Sequence, residues 1–457
     1  MLKFLVAAGL SFFLLSQADP AAATTFQPCA DAATLPGLAG SLCTVARVPL
    51  EASAAKRAEE IDLFVRKFPA DDRRRRRGEV WLIAGGPGEP GASFYPVLAT
   101  FRRTFRDYDL VIPDHRGTGY STKLCPREEA PDGPDGIALA GDEWGPCIAA
   151  LHSDPARTRA FTITNAAHDL STLITTYRRP GEVYVYGVSY GTQLILRMMQ
   201  AAPPKIDGIV LDGLVPPEAD AQWDLSHRTE IVDSVGRALL TPAQTAQYRA
   251  LLAHQAPRWV STVPGGDLRR FMAGLLTFPD LRRRIPDVIE GLSRDDDQQL
   301  VRSVQDLRDR GAELSRYPQS PPSLPLVILI SGSENNDRRS LTKEIVAQEA
   351  EGALFTSPLP GFLVDSPVPL YARDGLFGRN PVQLPRTLIV HGTLDPNTSY
   401  EGARAQKTLL SVAGEVHFTT IERGAHFLAL VAPDCFERAV SAFVRRRPAL
   451  ERCATAD

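Results

Sequence analysis

The sequence predicts an α/β fold: a mostly parallel central sheet flanked by helices, with an inserted, mainly helical cap. Three observations predict it. Short apolar runs alternate with helix-period stretches through the first half of the chain. That alternation stops from about Val215 to about Gln383 and then resumes. The runs on both sides end in turns carrying Gly, Asp, Ser or His, as strands do where a site collects at the carboxyl edge of a parallel sheet. With 457 residues, 44% of them apolar, the chain has material for one large domain with an insertion.

Residues 1–23 read as a secretory signal: Lys3 gives the basic start, Phe4 to Leu15 the apolar run, and Ala21 to Ala23 the small-residue cleavage site. The run is too short for a membrane anchor, and no later stretch reaches spanning length. The expected mature chain is exported, to the periplasm or outside the cell. It divides into a first core part at 24–215, a cap at 216–383 and a second core part at 384–457.

Val45 to Leu50 and Ile61 to Phe68 read as two edge strands, and the five arginines from Arg73 to Arg77 as a solvated hairpin loop. Glu79 to Ala84 is a buried-type strand that leads into the glycine-rich loop from Gly85 to Ser93. No G-K-[ST] follows, so a phosphate cradle is excluded; backbone N–H groups facing an oxyanion are the better use of such a loop. Tyr108 to Pro113 is the next strand, after which Asp114 and Arg116 read as a structural, salt-bridged turn. Asn165 to Arg178 has helical spacing, with His168 on its surface or in packing.

Val183 to Tyr186 is a β-branched and aromatic strand running into Gly187-Val188-Ser189-Tyr190-Gly191, and Thr192 to Met199 continues as an apolar helix. A serine on such a strand–turn–helix corner has its hydroxyl pushed out, and side chains at 187 or 191 would collide with the neighbouring strand and helix. Ile206 to Leu211 follows as a strand ending at Asp212-Gly213. Within the insertion, Glu230 to Leu240 and Pro242 to His254 read as helices, Tyr317 to Pro325 as a linker, and Leu326 to Ile330 as a strand-like run leading to Glu334. Pro385 to His391 resumes the strand pattern and delivers Asp395; Glu415 to Ile421 is the last strand and delivers His426; a helix from about Cys435 to Arg446 follows.

The net charge of −3, from 51 basic and 54 acidic residues, argues against a nucleic-acid partner. Six cysteines in an exported chain favour disulfides, and proximity favours Cys29 with Cys43, Cys125 with Cys147 and Cys435 with Cys453, although sequence leaves the connectivity open. No His/Cys cluster points to a metal.

Ser189, Asp395 and His426 therefore stand in chain order at the ends of successive strands. A serine needs a base to take its proton, and the base needs a carboxylate on its other nitrogen. His391 and His417 lie inside strands, which leaves His426 as the base. Asp395 is the expected acid and Asp212, also at a strand end, its rival.

These residues resemble the serine peptidases of the prolyl aminopeptidase type within the α/β-hydrolase fold, and most closely their secreted, tripeptidyl aminopeptidase-like branch. The matching pieces are GGPGEPGAS, DHRGTGYS, GVSYGT, LDG, HGTLDPNTS and GAHF, in order over nearly the whole chain outside the cap. The resemblance implies Ser189 as nucleophile, Asp395 as acid, His426 as base, and the N–H groups of Gly86 and Tyr190 as the oxyanion hole, with Gly85 the alternative to Gly86. It departs at Ala84, where many members have His, and at Gly332, where some secreted members have Cys nearby. It also implies an acidic cap residue that holds a substrate's free amino terminus, for which Glu334 is the candidate. The expected activity is release of short N-terminal units from peptides without a cofactor. A carboxylesterase or related acyl hydrolase is the alternative, and a non-catalytic binding protein the third reading. The expected partner is a peptide or small acyl substrate.

Overall fold

In a computed structural model the structure describes residues 25–53, 59–133, 136–139, 141–254 and 258–455; the expected signal at 1–23 lies outside them. Ten strands form one sheet in the order β1-β2-β3-β5-β4-β6-β7-β8-β9-β10: β1 Gln27–Pro28, β2 Leu42–Pro49, β3 Glu60–Phe68, β4 Gly78–Ile83, β5 Tyr108–Pro113, β6 Glu182–Val188, β7 Gly208–Asp212, β8 Thr387–Gly392, β9 Val416–Glu422 and β10 Arg452–Ala454. The pairings β1/β2, β2/β3 and β3/β5 are antiparallel. All the others, from β5 across to β10, are parallel.

The parallel strands read as near-continuous apolar runs because both faces are covered. Their side chains split with period two. Trp81, Ile83, Val183 and Val185 join one core with the helices Ile163–Tyr177 and Tyr190–Ala201. Val80, Leu82, Tyr184 and Tyr186 join the other with the helices Leu98–Thr104 and Pro433–Val444. Between β7 and β8 the chain forms only helices and irregular segments among its described residues. That insertion has its own apolar cluster, from Val232 to Phe355, centred on Leu275, Leu281, Ile285 and Ile289. The expected fold class, a mostly parallel sheet with helices and a helical insert, is the one observed.

Several local expectations need correction. The arginine run does not close a hairpin. It joins β3 to β4, and β5 lies between them, with Arg76 bonded to Asp109 at 2.8 Å and Arg77 to Glu182 at 3.0 Å. The two early strands are not both edges: β3 pairs with β2 and β5, and β1 covers β2. Leu326 to Ile330 is not a strand but part of the helix Leu324–Glu334; almost every residue of that helix is buried, and an all-round apolar run carries no period to tell strand from helix. Tyr317 to Pro325 is no linker. Tyr317 and Gln319 are buried, and their side chains reach the Pro36 carbonyl at 3.0 Å and the Tyr95 hydroxyl at 2.7 Å.

Asp114 and Arg116 are structural, yet they do not pair with each other. Asp114 accepts the N–H groups of Gly91 at 2.7 Å and Tyr120 at 2.8 Å, which ties the glycine loop to the turn after β5. Arg116 grips Asp169 through two bonds of 2.6 and 2.8 Å. Both partners are buried, so removing either one would cost about 3–5 kcal/mol.

Three disulfides join Cys29–Cys43, Cys125–Cys147 and Cys435–Cys453, and among the described residues no cysteine is free. They fit an oxidising, extracytoplasmic compartment. No helix among the described residues is long and apolar enough to cross a membrane.

Candidate active site

The strand order changes direction at β4, which has β5 on one side and β6 on the other. In open parallel sheets the crevice at such a switch point is where ligands bind. The loop after β4 and the turn after β6 meet there.

β6 runs straight into Ser189, whose φ of 56° and ψ of −126° place a non-glycine residue in strained backbone. Its neighbours hold it there. The Ser189 N–H donates to the Asp212 carbonyl at 3.0 Å. A Cβ on Gly187 would lie 2.7 Å from the Gly191 carbonyl oxygen, and one on Gly191 would lie 2.4 Å from that of Ile83. Both contacts are too close for any side chain, which explains the two glycines around the serine. On the other side, a Cβ on Gly85 would lie 2.9 Å from Ser189 Cβ, so the glycine loop abuts the serine. Gly86 follows with a φ of 93°, open to glycine and costly to other residues. Tyr190 is the first residue of the helix Tyr190–Ala201, so its N–H has no intrahelical acceptor.

Asp395 lies buried in the turn after β8. Its Oδ1 accepts the N–H groups of Asn397 at 2.7 Å and Thr398 at 2.9 Å, and its Oδ2 accepts the Thr398 hydroxyl at 2.8 Å. The same Oδ2 lies 2.8 Å from His426 Nδ1. Burial pushes this carboxyl up, but His426 and the surrounding donors overcome that and hold it well below the usual carboxylate range. For His426 the balance runs the other way. Burial pulls the imidazole down, and Asp395 more than offsets this, so it sits above its ordinary value. With Nδ1 on Asp395, Nε2 is the nitrogen left for chemistry. A Cβ on Gly213 would lie 2.8 Å from His426 Cε1, so serine and imidazole both flank the Asp212–Gly213 step.

Asp212 makes different bonds. Its carboxylate accepts the Tyr186 hydroxyl at 2.8 Å and the N–H groups of Leu428 at 3.1 Å and Ala429 at 3.3 Å. It therefore anchors the segment that follows His426, and burial pushes its carboxyl up to about 6. His391 is buried, with Nε2 3.3 Å from the Thr398 hydroxyl, and His417 pairs with Glu415 at 2.7 Å.

A cavity opens over Ser189, with Tyr190, Glu218, Arg228, Glu334 and Asn397 among its wall residues. Glu334 is the last residue of the helix Leu324–Glu334 and is buried. It lies 3.4 Å from Arg197 Nη2, which also holds Glu218 at 3.0 Å, while Nη1 faces Asp374 at 3.7 Å. Gly332, two residues earlier, packs against Leu370. Sequence reasoning missed Glu218, Arg197 and Arg228. Only Arg197 left a signal, as a lone charge inside the apolar helix run LILRMM. No group of three or more His, Cys, Asp or Glu among the described residues is arranged to hold a metal ion.

A family model described as alpha/beta hydrolase fold matches residues 80–432. No curated protein sequence matches. Among solved structures, a thermophilic esterase from Thermogutta terrifontis is 14% identical, with 88% of this chain and 98% of that one covered and a TM-score of 0.38. A laboratory-evolved potato epoxide hydrolase is 14% identical over 84% and 96% of the two chains, with a TM-score of 0.39. A hydrolase from Pseudomonas aeruginosa is 16% identical over 88% and 98%, with a TM-score of 0.37. At these values the three structures say nothing about substrate. The family match runs from within β4 through β9, including the turn that carries Ser189 and both later strand-end turns, and the chain belongs to the α/β-hydrolase fold family.

Proposed function

We propose that this protein is an exported serine hydrolase of the aminopeptidase type, with residues 216–383 as its cap. Ser189 attacks the scissile carbonyl while His426 Nε2 takes its proton and Asp395 holds the imidazole by Nδ1. The N–H groups of Tyr190 and of Gly86, or Gly85 in its place, stabilise the tetrahedral oxyanion. His426 then protonates the leaving amine, and water hydrolyses the acyl-enzyme.

One observation carries the amino-terminal part of this reading. Three carboxylates, Glu218, Glu334 and Asp374, surround the guanidinium of Arg197, and two of them, Glu218 and Glu334, line the cavity. Burial pushes the Glu334 carboxyl up despite Arg197, so the cluster is short of positive charge. A substrate ammonium supplies it through charge-assisted hydrogen bonds, whereas an acylated nitrogen leaves the carboxylates under-compensated.

Two experiments test the reading. A fluorophosphonate probe should label Ser189, and Ser189→Ala should lose labelling and turnover while keeping its thermal unfolding profile. A variant that stays active removes Ser189 from the nucleophile role. Second, N-acetylation of a short peptide should cut kcat/KM of the wild type by at least about tenfold. Glu334→Gln should shrink that penalty by raising KM for the free amine. Equal cleavage of free and acetylated peptides shifts the assignment to an esterase or an endopeptidase.

A further inference from the structure

The cavity over Ser189 carries a second under-compensated charge, opposite in sign to the acidic cluster. Arg228 begins the helix Arg228–Arg237 of the insertion, is 9% exposed, and lines the cavity. Its Nη1 donates to Asn397 Oδ1 at 3.0 Å, in the turn that carries Asp395. Its Nε is buried with no hydrogen-bond partner. Among the described residues no carboxylate lies within ion-pair distance of it. The cavity's remaining carboxylate near this helix, Asp224, is committed to the Ser226 N–H at 2.8 Å and to the Asp337 N–H. Burial pulls the guanidinium down to about 10, so it is still cationic at neutral pH, with Asp395 the one acid that favours its charge. A buried cation with no carboxylate at ion-pair distance is costly, and a ligand carboxylate entering the cavity would supply the missing charge.

The two charges sit on different sides of the nucleophile. Glu334 lies 3.4 Å from Arg197, on the helix that follows Ser189. Arg228 bonds Asn397 at 3.0 Å, in the turn that carries Asp395, on the imidazole side. In the mechanism above His426 protonates the leaving group, so Arg228 faces the leaving half of the substrate.

We propose that Arg228 binds a carboxylate on the leaving segment, so that the cavity selects short peptides whose free C-terminus lies close to the scissile bond. This rests on the Ser189–His426 reading and adds a second anchor to it. The acidic cluster takes the ammonium of the acyl half and Arg228 takes the carboxylate of the leaving half. Reach between the two then limits substrate length. A side-chain carboxylate at the leaving position offers the same chemistry as a C-terminus.

The test compares matched substrates on the intact, disulfide-bonded protein. Ala-Ala-Ala with a free C-terminus is set against its C-terminal amide, and an amide-ended peptide with Glu at the leaving residue separates side-chain from terminal carboxylate. A second pair, the acetate esters of 4-hydroxybenzoate and 4-hydroxybenzamide, asks the same question without a peptide bond. The wild type should favour the carboxylate member by about tenfold or more in kcat/KM, mainly through KM. Arg228→Gln should bring the acid-to-amide ratio near one, and Arg228→Lys should restore part of it. Hydrolysis of the esters alone, with the acid preference kept, sinks the peptidase reading and supports the role of Arg228. Cleavage of peptides with no acid preference, or an equal loss on both members in Arg228→Gln, overturns the inference and leaves Arg228 as a brace between insertion and acid turn.

Discussion

Asp212 and Asp395 follow or close adjacent parallel strands, both are buried, and their proton affinities are pushed in opposite directions. Burial is the largest influence on each and raises both. What separates them is the company they keep. Asp395 gathers an imidazole, a hydroxyl and two backbone N–H groups, whereas Asp212 has one hydroxyl and two longer N–H contacts. A strand-end position puts an acid near the chemistry, and the local donor set decides whether it works as a charge there or as a structural tie.

The largest effect should come from Asp395→Asn, which removes the charge that orients His426 and lowers kcat about 10⁴-fold, by analogy with other triads. If Asp212→Asn proves the more damaging change in the same steady-state assay, the acid role moves to Asp212. Thr398→Val removes one charge-assisted bond to Asp395 Oδ2 and leaves the carboxylate in place. It should lower kcat several-fold, about tenfold at most, with KM little changed. Asp212→Asn should change kcat least of all, by about threefold or less, but its stability should respond to pH.

That response has a definite sign. The folded-state pKa of Asp212, about 6, lies above the unfolded value of about 3.9. Its proton-linked stabilisation is complete below pH ~4 and is lost as pH rises through ~6, on the order of 3 kcal/mol. Asp395 tilts the other way: its contribution is present above the unfolded value and is lost as pH falls through its depressed folded value. Urea unfolding at pH 4.5 and 7 should therefore show a smaller loss of stability between the two in Asp212→Asn than in the wild type. An identical change in both proteins breaks the contrast drawn between the two acids.

Much of this was legible in the chain. Ser189, Asp395 and His426 could be read as strand-end residues because each follows a short apolar run and precedes a turn, which are local signals. The pairing of β3 with β5 was not legible, because register between distant strands leaves no mark on the arginine loop that joins β3 to β4. LVILI was misread since a fully buried helix and a fully buried strand look alike over five residues. Glu218 and Arg228 were invisible for a third reason. Nothing in PPEAD or SHRTE announces a cavity wall, and both residues acquire their setting only when the insertion folds back over the turn that carries Ser189.

The placement of two disulfides reaches beyond loop closure. Cys29 follows the two-residue β1 and is joined to Cys43 in β2, and Cys453 in the three-residue β10 is joined to Cys435 on the helix Pro433–Val444. Strands of two and three residues hold weakly by themselves, yet these two are what cover the outer borders of the sheet. If thiols stay reduced, β2 and β9 become open ladders of unpaired N–H and C=O groups, the template on which chains join edge to edge. The redox state of four sulfur atoms thereby governs whether this sheet ends or continues into a neighbour. Protein made in a reducing compartment should gather in aggregates rich in intermolecular β-structure, even where the core around Ser189 has folded.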